Sequence, residues 1–196
     1  MSKSIRSSGW AFIAGAFAFI TILSNSDPLA IPGSVISSIL LAVGMSGLRA
    51  RYGERAGSLG RNMLLLGVMG PVLFLIAIAS MALMNSFGRL TVAQVEAGLW
   101  VLIFVGPAIS LLGLTLFGLT ALRSKPMPRL NWLPAFAGIW YPVAYFFLAG
   151  YLFTHNGKFP QEYYPAIQIM FLIQFLVLCA FGAVLVAETP QEMAAT

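Results

Sequence analysis

Residues 62–84 read NMLLLGVMGPVLFLIAIASMALM, and this stretch decides the fold. It contains no charged side chain and is apolar on every face. A bilayer-crossing helix needs about 20 mostly apolar residues, whereas a membrane β-strand needs only about 10 with alternating polarity. The length and the unbroken apolarity together predict a transmembrane helix.

Five further segments are similarly long and apolar: 9–23, 28–48, 96–119 (which opens on Glu96), 132–153 and 165–187. Of the 196 residues, 59% are hydrophobic and 9% are charged, with a mean hydropathy of +0.89. Soluble domains carry about 25% charged residues, and disordered chains combine low hydrophobicity with high charge. Both classes are excluded. The expectation is an all-α integral membrane protein, with residues 1–196 forming one domain of six transmembrane helices.

Boundary chemistry agrees with these limits. Asp27-Pro28 is an N-cap followed by proline at the first helical position. Thr91 to Gln94 has the form of a capping box, and Asn156-Gly157 is a turn signal. Lys3, Arg6, an apolar stretch and then Ser24-Asn25-Ser26 also have the outline of a cleavable signal peptide. A retained first helix is the expectation here.

Orientation follows from the basic residues. Lys3, Arg6, Arg49, Arg51, Arg55, Arg61, Arg123, Lys125 and Arg129 fall on one side of the six spans, and Arg89 and Lys158 on the other. The positive-inside rule then puts both termini in the cytoplasm. The formal net charge of +5 becomes a topology signal and an attraction to anionic lipid headgroups at the cytoplasmic loops. The basic residues lie in short loops without aromatic interleaving, so no nucleic-acid partner is expected.

A shift of 71 residues aligns 40–72 with 111–143 and pairs Gly47 with Gly118, Gly67 with Gly138 and Pro71 with Pro142. This has the form of a parallel duplication of a helical hairpin (spans 2–3 and 4–5), against the alternative of chance within a biased composition. Pro71 and Pro142 each lie about ten residues into a helix, roughly 15 Å deep. Paired kinks at that depth would open a central cavity, or simply bend two membrane helices.

The hairpin tips, Gly47 to Arg55 with Ser58-Leu59-Gly60, and Gly118 to Arg123 with Pro128-Arg129, have the look of a Gly-Leu, basic loop, Gly tip after an even-numbered span. In this they resemble uncharacterised small multispan bacterial inner-membrane proteins. The resemblance covers about a third of the chain. It implies a bacterial inner (plasma) membrane location and carries no activity with it.

Several chemistries lack their residues. No ionisable side chain lies centrally in a span, which argues against proton relays and voltage sensing. Single copies of histidine (His155) and cysteine (Cys179) exclude bis-histidine haem within the chain and any internal disulfide. No nucleotide, hydrolase or metalloprotease motif is present, and no cofactor is expected.

Two polar constellations remain. Tyr141 and Tyr145 are four apart on the aromatic fifth span beside Trp140, at the depth of Gln174, Ser37, Ser38 and Ser110. Trp140, Tyr141, Tyr145, Gln174, Ser38 and Ser110 could line a midplane pocket for a neutral lipophilic molecule such as a lipid or quinone. They could equally be interhelical hydrogen-bonding glue. Gln174 is the expected partner of the tyrosines, because a span joined by a short loop packs alongside. At the outer mouth Asp27, Glu96, His155 and Glu162 could form an acid/base or metal cluster, although Asp27 and Glu96 already suit helix N-termini.

Small residues four apart (Ala11/Gly15, Ser34/Ser38, Gly106/Ser110, Cys179/Ala183) allow close helix approach. The leading functional expectation is a non-enzymatic structural or accessory protein that packs with itself or with a larger membrane complex. A lipophilic-ligand binder or carrier is the alternative, and a membrane enzyme using the outer polar groups is the third.

Overall fold

The computed structural model describes residues 2–20, 27–86, 93–127, 130–154 and 164–187. These form six helices: α1 (Ser2–Ile20), α2 (Asp27–Tyr52), α3 (Gly57–Ser86), α4 (Ala93–Ser124), α5 (Leu133–Thr154) and α6 (Tyr164–Ala187). Four of them, α2, α3, α4 and α6, are long and apolar enough to cross a membrane. Four apolar helices of this kind make the protein membrane-embedded. The expected capping box at Thr91 and the Asn156-Gly157 turn lie outside the described residues.

Each helix packs on its neighbours in sequence, and α1 packs on α6, so the bundle closes into a ring with a small α2–α4 contact across it. The outer face is apolar: Ile36 and Val43 on α2, Met69 and Ile76 on α3, and Leu172 and Leu176 on α6 are all exposed. In water such a continuous apolar surface would drive association, whereas in lipid it is the matched solvent. Inside, Phe12, Met45, Leu64, Leu114, Phe117 and Phe181 are fully buried.

Turn chemistry sets the two described hairpin tips. Between α2 and α3, residues 53–56 form a tight turn. The Gly53 N–H donates to the Arg49 carbonyl at 3.0 Å and the Ala56 N–H to the Tyr52 carbonyl at 2.9 Å. Gly57 then opens α3 at φ +76°, a left-handed value that favours glycine. Between α4 and α5, Lys125 takes φ +46° and its N–H donates to the Ala121 carbonyl at 2.9 Å, ending α4 in a left-handed cap. Asn131 holds this loop, accepting from the Met127 N–H at 3.0 Å and donating to its carbonyl at 2.9 Å.

Three mid-span prolines, Pro71, Pro107 and Pro142, lie inside helices that continue through them. Gly70-Pro71 on α3 lies against Gly106-Pro107 on α4. A Cβ added at Gly106 would sit 2.7 Å from the Gly70 carbonyl oxygen and 3.0 Å from the Phe74 Cβ. The pair α1–α6 uses the same device, because a Cβ at Gly182 would lie 2.6 Å from the Gly9 carbonyl oxygen. Without a hydrophobic drive between helices in lipid, close backbone approach is what glycines at these crossings contribute.

Candidate functional site in the midplane

A proline inside a helix removes the hydrogen bond to the carbonyl four residues earlier. For Pro71 that carbonyl belongs to Gly67. The Ser110 hydroxyl on α4, fully buried, donates to the Gly67 carbonyl oxygen at 2.8 Å. The acceptor that Pro71 frees in α3 is therefore satisfied by a side chain from the neighbouring helix. Gly67, Gly70, Gly106 and Ser110 form one unit in which glycines admit the approach and serine satisfies the freed acceptor.

Ser37 repeats the pattern between α2 and α1, donating to the Gly15 carbonyl at 2.9 Å. Ser38 is buried beside it. Thr115 is buried on α4 but turns back onto its own helix, donating to the Leu111 carbonyl at 2.9 Å. Gln174 on α6 is fully buried, and its Nε2 donates to the Ala137 carbonyl on α5. That places Gln174 against the fifth span. The side chains of Tyr141 and Tyr145 lie outside the described residues, as do those of Asp27 and Glu96 and the whole of His155 and Glu162. Among the described residues no three His, Cys, Asp or Glu side chains gather to hold a metal.

Trp140 sits on an aromatic stripe. Its ring meets Phe136 edge-on at 5.4 Å between centroids, and Phe136 meets Trp132 at 5.8 Å. Its indole Nε1 is buried without a hydrogen-bond partner among the described residues.

The Gly67–Ser110 contact could be anticipated only in part. The Gly106/Ser110 spacing and Pro71 are visible in the sequence, but which carbonyl the serine meets depends on the register of α3 against α4. Gly9 opposite Gly182 has no local signal at all.

Ser110→Ala is expected to cost about 1–2 kcal/mol, the upper range for a hydrogen bond between membrane helices, because it strands a buried acceptor. In a Pro71→Ala background the helix regains an N–H for the Gly67 carbonyl, so the same change should cost under about 0.5 kcal/mol. SDS-titration unfolding of the four proteins reads the coupling. Equal Ser110→Ala costs in both backgrounds would disprove the link between the proline and the serine.

Comparison with protein-family models, curated proteins and solved structures gives no match for this chain. The functional reading therefore rests on residues and geometry alone.

Proposed function

We propose that this protein is a non-enzymatic structural or accessory component of a bacterial inner membrane. It would cross six times with both termini in the cytoplasm and pack with itself or with other membrane proteins. The observation that carries this reading is where the interior polar groups go. The Ser37, Ser110 and Gln174 side chains each donate to a backbone carbonyl of a neighbouring helix. Such bonds hold helices together and leave those donors already engaged, as glue rather than as a binding surface. The outward faces, apolar and studded with Ile, Met and Leu, are free for lipid or for another membrane protein.

One observation favours a second reading. The Trp140 Nε1 donor is buried without a partner among the described residues, and an unmatched buried donor costs about 1–3 kcal/mol. A neutral lipophilic ligand with a carbonyl, a quinone or a lipid ester, would supply the missing acceptor.

Native mass spectrometry of the protein extracted from its own membrane tests both readings. Masses of a homo-oligomer or of a complex with other membrane proteins are the expected result. A lone monomer with nothing bound would overturn the structural reading. A monomer retaining a small lipophilic molecule, lost on Trp140→Phe, would replace it with the second.

A further inference from the structure

The turn between α2 and α3 carries two adjoining open cavities of about 510 and 370 Å³ that share Glu54 and Arg61 in their walls. Arg49 from the end of α2 lines the smaller one, and Ser58 and Asn62 from the first turns of α3 line the larger. None of these groups belongs to the midplane layer.

Three features of the cavity pair bear on what it would hold. The first is an unmatched donor: the Arg49 Nε is buried without a hydrogen-bond partner among the described residues. Guanidinium is a rigid fork of donors suited to phosphate oxygens, and the Arg49 side chain forms part of the wall of the smaller cavity. The second is the helix start. Gly57 and Ser58, the first residues of the 30-residue α3, form part of the wall. The leading N–H groups of a helix lack intrahelical acceptors and carry a partial positive charge; here the Gly57 N–H already donates to the Glu54 carbonyl at 3.2 Å, which leaves those from Ser58 onward.

The third is the charge count. Two guanidiniums, Arg49 and Arg61, stand against the single carboxylate of Glu54. The lining is left with one positive charge, which matches the single negative charge of a phosphodiester. A phosphomonoester or inorganic phosphate brings about −1.5 to −2 at neutral pH, and Glu54 would repel the excess.

The apolar surface beyond the cavity fits the same occupant. Val43, Ser46 and Ala50 share an exposed face of α2, with Ser46 and Ala50 lining the smaller cavity. On α3, Arg61, Leu65, Val68 and Val72 share one face by helical spacing, with Leu65 and Val72 exposed. A molecule with a phosphodiester at the turn and a hydrocarbon chain along these faces is a phospholipid.

We infer that the α2–α3 tip is a binding site for an anionic phospholipid, with Arg49, Arg61 and the α3 N-terminus holding the phosphodiester and the exposed apolar faces of α2 (Val43) and α3 (Leu65, Val72) lying along an acyl chain. The site stands independently of the structural or ligand-binding reading of the midplane.

The test titrates the full-length protein in detergent with dioleoylphosphatidylglycerol, dioleoylphosphatidylcholine or inorganic phosphate, and counts adducts by native mass spectrometry. Phosphatidylglycerol should bind at least about tenfold more tightly than phosphatidylcholine, as expected for two basic groups near a headgroup. Arg49→Gln with Arg61→Gln should abolish that preference. Arg123→Gln, an exposed arginine at the other tip, should leave it intact. Should the double variant fold poorly, Arg61→Gln alone, at an exposed position, should still weaken the preference, and Arg49→Lys should retain part of it. Equal binding of the two lipids, or a preference surviving the double substitution, would overturn the site. Arginine-dependent binding of inorganic phosphate with no lipid preference would overturn the assignment to a lipid.

Discussion

Gly106→Val is expected to destabilise the bundle by about 3 kcal/mol, at the upper end for overpacking. Even the first added carbon would sit 2.7 Å from the Gly70 carbonyl oxygen and 3.0 Å from the Phe74 Cβ. Neither atom is the free end of a flexible chain, so relief requires α3 and α4 to separate. Separation then stretches the Ser110–Gly67 hydrogen bond (2.8 Å) one turn away, and the carbonyl that Pro71 frees goes unsatisfied in an apolar interior. Two costs are therefore coupled in one substitution. SDS-titration unfolding followed by tryptophan fluorescence measures the effect. Ala79→Val, on the exposed face of α3, serves as control and should change stability by less than about 0.5 kcal/mol. Unfolding of Gly106→Val at the wild-type SDS fraction would show that the two backbones are not in contact.

Phe12→Ala is the second large effect, expected to cost about 3 kcal/mol. Phe12 is fully buried on α1, and its ring meets that of Phe181 on α6 at 5.0 Å and 59°. On its other side it fills the space left by Gly44 on α2, where an added Cβ would fall 2.9 Å from the ring. One side chain thus joins three helices where the ring closes. Lipid is as apolar as this core, so the loss is of packing rather than of hydrophobic transfer, and the lower end of the range for such truncations applies. The loss should also be local. Cysteines placed at exposed sites on α1 and α6 should cross-link less efficiently in Phe12→Ala, while an α3–α4 pair cross-links as before. Equal loss at both pairs would mean that the ring unfolds as one body and that α1 is no separate latch.

Several features of the bundle could be read directly from residue order. Long apolar runs such as 62–84 report their own environment, because the backbone of a lipid-exposed segment must satisfy its hydrogen bonds internally. The helices α2, α3, α4 and α6 follow from that requirement, residue by residue, without reference to any partner. Pro71 likewise announces a freed carbonyl, and the Gly106/Ser110 spacing announces a helix face that admits close approach. Gln174, an amide deep in an apolar run, announces a need for a neighbour on another helix.

What closes those needs is decided only by tertiary structure, since it depends on the register and rotation of one helix against another. Ser110 meets the Gly67 carbonyl because α3 and α4 cross at their Gly-Pro dipeptides. Gln174 reaches the backbone of Ala137, a group that every residue possesses and no side-chain pattern can single out. Gly9 and Gly182 meet although nearly the whole chain lies between them, because five successive antiparallel packings return α6 to α1. The convergence of Arg49 and Arg61 on one cavity is of the same kind. In the sequence they are two charges in a basic loop, and a four-residue turn ending in a left-handed Gly57 brings them to the same wall. Apolarity and helix formation are local properties and are written in residue order, whereas register is a sum over many weak contacts between segments and exists only once they have packed.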